Sequence, residues 1–225
     1  IELLTFVLEK GHYNPATMDD EFSKGVYKDY IEALDPSKRF FLQADIDEFS
    51  KYELELDDQL LNKDLTFFDL TYTRLMQRIE ESKSIYKSVL SKPFDYKADE
   101  SFNTDYEKMP YAKNTTELNE RWRKQIKLST LSSLVDRLEI QETNGKIDKD
   151  LKEATAPLNV DNGLQETITD TKKTAVTEKV KIKTFEELEK ETRESSLKSL
   201  DEYFGFIKDL TRNDYFSVYL NSVTG

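Results

Sequence analysis

The groups in this chain that could do chemistry are one histidine, two Ser-x-x-Lys pairs and several acidic runs. His12 could act as a general base or a metal ligand. A metal site draws on several His, Cys or carboxylate ligands, and no H-x-x-x-H or H-x-x-E companion follows it. It reads instead as half of a structural His12-Tyr13 pair closing a first helix. Ser84-Ile85-Tyr86-Lys87 and Ser195-Ser196-Leu197-Lys198 have the spacing in which a Lys activates a Ser nucleophile. Their companion S-D-N and K-T-G motifs are missing, and no Gly-rich neighbour could build an oxyanion hole, so both read as surface residues. Asp45-Ile46-Asp47 could open a calcium loop, but Phe49 and Ser50 stand where such a loop needs an oxygen ligand and a glycine. Asn159-Val160-Asp161-Asn162-Gly163 is oxygen-rich with an incomplete ligand count. Asp19-Asp20 and Asp57-Asp58 read as charges at helix ends. No G-x-S-x-G, P-loop or G-x-G-x-x-G is present. The expectation is no catalytic, metal-binding or cofactor-binding residue, and no cofactor.

The elements that would position these groups are helices. Phe22, Val26, Tyr27, Tyr30, Ile31 and Leu34 fall on one helical stripe, and Pro36 stops it. Asp45 is expected to N-cap the next helix, with Ile46, Phe49, Tyr52, Leu56 and Leu60 facing inward. A long helix is expected from about Thr66 to Leu90, ended by Pro93, and the stretch from Phe94 to Lys113 reads as an extended connection. Asn114-Thr115-Thr116-Glu117 and Thr184-Phe185-Glu186-Glu187 are capping-box patterns that open two more helices. A cap explains Asn114 better than the glycosylation sequon it formally completes. The closing helix carries Tyr215, Phe216, Tyr219, Leu220 and Val223. The stretch from Thr143 to Lys181 is rich in Thr, Asp, Lys and Asn and has no aromatic residue, so it reads as a flexible or weakly β insertion. Ala175 to Ile182 alternates as a strand would. The fold class is therefore all-α, an irregular multi-helix domain. It divides into 1–142, an insertion at 143–183 and closing helices at 184–225.

Composition bounds the rest. The chain has 225 residues, 37% hydrophobic and 12% aromatic, enough for a real core. Its net charge of −12 would repel nucleic acid and anionic membranes, whose recognition rests on Lys and Arg. Cysteine is absent, which excludes disulfides, thiol catalysis and Cys-ligated metal and suits a periplasm or a cytoplasm. No apolar run approaches the roughly 18 residues of a membrane span. The chain opens on Ile1 rather than Met, and Asn213 to Val223 reads as a helix without an exit. A longer parent protein is expected, with its signal segment outside this sequence.

His12-Tyr13, then Met18-Asp19-Asp20, then Tyr30, then Leu34-Asp35-Pro36-Ser37-Lys38-Arg39-Phe40-Phe41-Leu42, then Ala44-Asp45-Ile46 form an ordered string. Pro93-Phe94-Asp95-Tyr96, Tyr106, Pro110, Asn114, Glu117-Leu118-Asn119, Trp122, Asp214-Tyr215-Phe216 and Asn221-Ser222-Val223-Thr224 continue it. In order and approximate spacing this resembles the amino-terminal region of tail-specific proteases, also called carboxy-terminal processing proteases, which are serine endopeptidases of the bacterial envelope. The resemblance covers nearly the whole chain outside Thr143 to Lys181. It implies an all-helical, non-catalytic, periplasmic domain that forms a platform beside PDZ and protease domains, with the catalytic Ser and Lys downstream. It also implies, as partners, those downstream domains, a lipoprotein adaptor and polypeptide substrates. The matched residues are expected to be structural: His12, Tyr13, Asp19, Asp20, Tyr30, Leu34, Asp35, Pro36, Phe41, Asp45, Pro110, Glu117, Leu118 and Trp122. The residues alone leave two other readings, a stand-alone acidic helical interaction module and a metal-dependent hydrolase using the carboxylates.

Overall fold

The computed structural model describes residues 17–154 and 182–224. Among them are seven α-helices and no β-strand, as the all-α reading expects. They are α1 (Asp20–Leu34), α2 (Gln43–Phe49), α3 (Leu56–Leu61), α4 (Thr66–Leu90), α5 (Thr115–Ala154), α6 (Phe185–Asp209) and α7 (Arg212–Thr224), with one 3-10 turn at Ser50–Tyr52. His12, Tyr13 and the alternating run from Ala175 to Lys181 lie outside the described residues.

The stripe on α1 is buried as its spacing requires: Val26, Tyr27, Tyr30, Ile31 and Leu34 all enter the core. Asp19 caps the helix by accepting the Glu21 and Phe22 N–H groups at 3.1 and 3.0 Å. The second expected helix differs from its reading. Helix α2 starts at Gln43, so Asp45 sits inside its first turn rather than before it, and its side chain accepts the Leu42 N–H at 2.9 Å. Nor does one helix run on to Leu60. The chain tightens through the 3-10 turn and restarts at α3, which lets Phe49, Leu56 and Leu60 all reach the same core with no exposed surface.

Helix α4 occupies the predicted span and is the hub, packing against α2, α5, α6 and α7. Its start is held by two side chains from upstream. Asp64 accepts the Thr66 N–H at 2.9 Å, and buried Gln59 accepts the Phe67 N–H at 3.1 Å. Those first-turn N–H groups have no partner within the helix and need one from elsewhere. Asn114 caps α5 through the Glu117 N–H at 3.0 Å, and Glu117 reaches back to the N–H of Lys113 at 2.8 Å. The Thr184–Glu187 box of α6 closes in both directions, at 3.2 and 2.9 Å. Helix α5 continues to Ala154, past the boundary expected near 142. Lys146, Lys149, Leu151, Glu153 and Ala154 favour helix, and the lone Gly145 costs only about 1 kcal/mol. The remainder of the expected insertion, 155–181, lies outside the described residues.

One hydrophobic cluster joins all of this, and it is unusually aromatic. Tyr30, Phe67, Phe68 and Tyr219 bring α1, α4 and α7 together, with ring centroids 5.0 to 6.5 Å apart. Phe40, Tyr86, Trp122 and Phe204 do the same for the α1–α2 loop, α4, α5 and α6. Edge-on and offset contacts of this kind add about 0.5–1.5 kcal/mol each beyond the area they bury.

Candidate functional site

The densest set of signature residues surrounds the loop between α1 and α2. Asp35 ends α1, and Pro36 follows it and remains exposed. The Asp35 carboxylate is 1% exposed and accepts three backbone N–H groups, from Arg39, Phe40 and Phe41, each at 2.9 Å. The loop must turn tightly to present them, and Lys38 takes a left-handed conformation with φ 47°. The loop's N–H groups thus do for the Asp35 carboxylate what a helix N-terminus does for an anion. Burial pushes its carboxyl above the ordinary carboxylate range, against the three N–H groups that pull it down.

Three carbonyls of the turn, those of Ser37, Lys38 and Arg39, are gripped from α5. Arg121 donates to Lys38 O at 2.5 Å and to Pro110 O at 2.7 Å. Trp122 Nε1 donates to Arg39 O at 2.7 Å, and Gln125 to Ser37 O at 3.3 Å. Lys38 Nζ in turn donates to Glu107 O at 3.0 Å and Met109 O at 2.6 Å. The connection from Phe94 to Lys113 is therefore stitched to the loop, and Gln43 N–H completes the stitch on Ala112 O at 2.8 Å. Pro110 and Trp122, distant in sequence from Asp35 and Phe41, converge with them here. Tyr30, Leu34 and Leu118 are core residues around them.

Asp45 forms a second centre with two cations on α4. Its side chain has no exposed surface. Arg78 grips it with two bonds, Nε to Oδ2 at 2.8 Å and Nη2 to Oδ1 at 2.9 Å, and Arg74 donates to Oδ1. Glu48 and Glu81 share the two guanidinium groups from the rim. Burial raises the Asp45 carboxyl, but the Arg78, Leu42 and Arg74 bonds outweigh it and hold the carboxyl below its ordinary range. Sequence reading missed Arg74 and Arg78. Their i, i+4 spacing on a predicted helix was the available signal.

Asp19, Asp20 and Glu117 are not drawn into either centre; they sit at helix starts. Ser84 Oγ is bonded to Glu81 O and Ser195 Oγ to Glu191 O, each within its own helix, which occupies the hydroxyl protons of both Ser-x-x-Lys pairs. Among the described residues no group of three or more His, Asp or Glu could hold a metal ion, and no helix is long and apolar enough to cross a membrane. What the surface does present is apolar. Leu128, Leu131 and Val135 lie on one face of α5 at 44%, 37% and 42% exposure. Phe206 on α6 is 63% exposed.

The family model described as tail specific protease N-terminal domain matches residues 4–225. A protein named tail-specific protease from Haemophilus influenzae is 31% identical over 144 residues. That match takes in 63% of this chain but only 21% of the relative.

Proposed function

This chain belongs to the tail-specific protease N-terminal domain family, and on that premise we propose that it is the non-catalytic platform of a periplasmic serine endopeptidase, docking the downstream domains and the polypeptides or adaptor they work on. The observation that carries the platform role is the way the signature polar groups are spent. The lone pairs of Asp35 and Asp45 are taken up by backbone N–H groups and guanidinium groups of this same domain. Such groups rigidify a scaffold and are not free to move protons. The docking role rests on the apolar face of α5, since exposed clustered apolar side chains mark interaction surfaces.

Three experiments test the reading. The purified chain should not hydrolyse an unfolded polypeptide; turnover by clean protein would contradict the platform role. In the full-length protease, Leu128→Asp with Val135→Asp should leave the fold intact, because both positions are exposed. It should cut cleavage of a long polypeptide several-fold while hydrolysis of a short peptide persists. Unchanged cleavage of the long substrate would remove the docking face from the proposal, and fractionation of the cells expressing it checks the periplasmic location.

A further inference from the structure

On the outer side of α5, Lys124, Leu128, Leu131, Val135, Leu138 and Glu142 follow one another at steps of 4, 3, 4, 3 and 4 residues. Steps of that kind are the a and d positions of a heptad, so the six side chains form one seam along the helix. By the helical period the seam faces away from Trp122, Ile126 and Leu134, which α5 buries in the domain. Leu128, Leu131 and Val135 are exposed on it, and Leu138 is half-buried. From Lys124 to Glu142 it is roughly 27 Å long at the helical rise. Taken in the reverse direction, the steps are unchanged and apolar positions fall on apolar positions. Only the charges at the two ends change sign.

A second α5 laid antiparallel on this seam meets its complement throughout. Leu128 faces Leu138 of the second copy, Leu131 faces Val135, and Lys124 faces Glu142, and a two-fold axis repeats each pair. Parallel pairing would set Lys124 against Lys124 and Glu142 against Glu142, so the charges select one orientation. Within one copy, Lys124 donates to Ser101 O at 3.1 Å and Glu142 pairs with Lys146 at 2.7 Å. Both contacts are exposed, and contacts of that kind are weak enough to give way. The first half of the seam also offers a socket. A cavity of about 260 Å³ opens between α5 and the connection before it, lined by Tyr96, Ala98, Phe102, Leu128 and Leu131, together with Lys124. In the antiparallel pair, Leu138 of the second copy stands over this socket, and Glu142 of the second copy comes next, toward Lys124.

We propose that the chain pairs with a second copy of itself through this seam, the two α5 helices lying antiparallel about a two-fold axis at the level of Ser133. The choice of a second copy rests on the charge complementarity of the seam with its own reverse, which such a copy meets at every position. The proposal rests on the docking reading in taking this face as an interface, and it names an occupant. A docked polypeptide or adaptor and a second copy exclude one another there. The net charge of −12 on each copy opposes association, and the seam is short, so the pair is a weak one with a dissociation constant on the order of micromolar.

Sedimentation velocity of the 225-residue chain tests this, from about 1 to 300 µM in about 0.15 M sodium chloride, which screens the overall charge. The mass should rise with concentration from the 26.4 kDa of one chain towards twice that value. Lys124→Glu alone, or Glu142→Lys alone, sets like charges together at both ends and should weaken pairing about tenfold. An equimolar mixture of the two variants should restore it, because both ends of the mixed pair again join opposite charges. The double variant should pair as the parent does. Circular dichroism checks that each variant is folded, which exposed positions favour. A chain that keeps the mass of one copy throughout, single reversals that pair like the parent, or a mixture that recovers nothing would each overturn the proposal. The first of these would leave the face to an adaptor, a polypeptide or a downstream domain. No substrate is present in sedimentation, and the charge reversals leave Leu128 and Val135 in place. Failure here is therefore distinct from failure of the long-polypeptide cleavage test.

Discussion

Replacing Asp35 tests whether the signature loop is an architectural anchor. Asp35→Ala removes the acceptor for three backbone N–H groups. Those of Phe40 and Phe41 are buried and have no water to turn to, whereas that of Arg39 is only partly buried. A buried donor left without a partner costs about 1–3 kcal/mol, so two cost about 2–6 kcal/mol. The native carboxylate is itself costly to bury, which returns part of this. The expected loss is about 3–4 kcal/mol. Asp35→Asn keeps one oxygen, which can accept from both Phe40 and Phe41 as Oδ2 does now. Its NH2 then faces the Arg39 N–H, donor to donor, so the expected loss is about 1–2 kcal/mol. Urea unfolding followed by circular dichroism and by Trp122 fluorescence measures both, and Trp122 is bonded to the same loop through Arg39 O. Alanine must cost more than asparagine, and both must cost something. An Asn variant as stable as the parent, or an Ala variant within about 1 kcal/mol of it, would show that the three bonds do not hold the loop.

Four further outcomes are expected. The Asp45 carboxyl is held below its ordinary range in the folded state, so its contribution is present above the unfolded value of about 3.9 and is lost as pH falls through the lower folded value; urea midpoints at pH 7 and pH 3 should show the advantage of the parent over Arg78→Gln shrinking in acid. At pH 7 that variant should lose about 1–3 kcal/mol, since Arg74 and the Leu42 N–H remain on Asp45. Thr184→Ala removes the cap of α6 and should cost about 0.5–2 kcal/mol by thermal unfolding. Tyr86→Phe removes a 2.7 Å bond to Asp201 and should cost about 0.5–1.5 kcal/mol, with the Tyr86–Phe204 stack retained.

The helices were legible where one residue spacing settled the matter. The apolar stripe of α1, the span of α4 before Pro93, and the caps Asn114 and Thr184 are local patterns, and local hydrogen bonds and a single buried face satisfy them. The break between α2 and α3 was not legible, because the inward residues from Ile46 to Leu60 also suit one continuous helix. Only the shared core into which Phe49, Leu56 and Leu60 all fit selects the bend. Asp45 shows the same limit. Its sequence neighbours suggest a cap, while its charge is answered by Arg74 and Arg78 on another helix.

The order of short motifs determined the family, and hydrophobic periodicity determined an all-α domain, because both are properties of the chain taken in sequence. Arg39 owes its role to packing. In the sequence it is one cation in a polar turn. In the fold, Asp35 bends that turn, Trp122 and Gln125 grip its carbonyls, and the guanidinium comes to rest across α5 and α6 between aromatic rings. The groove between α5 and α6 that it lines has walls drawn from residues far apart in the chain. Contacts of that range depend on how helices cross and not on the spacing within any one of them.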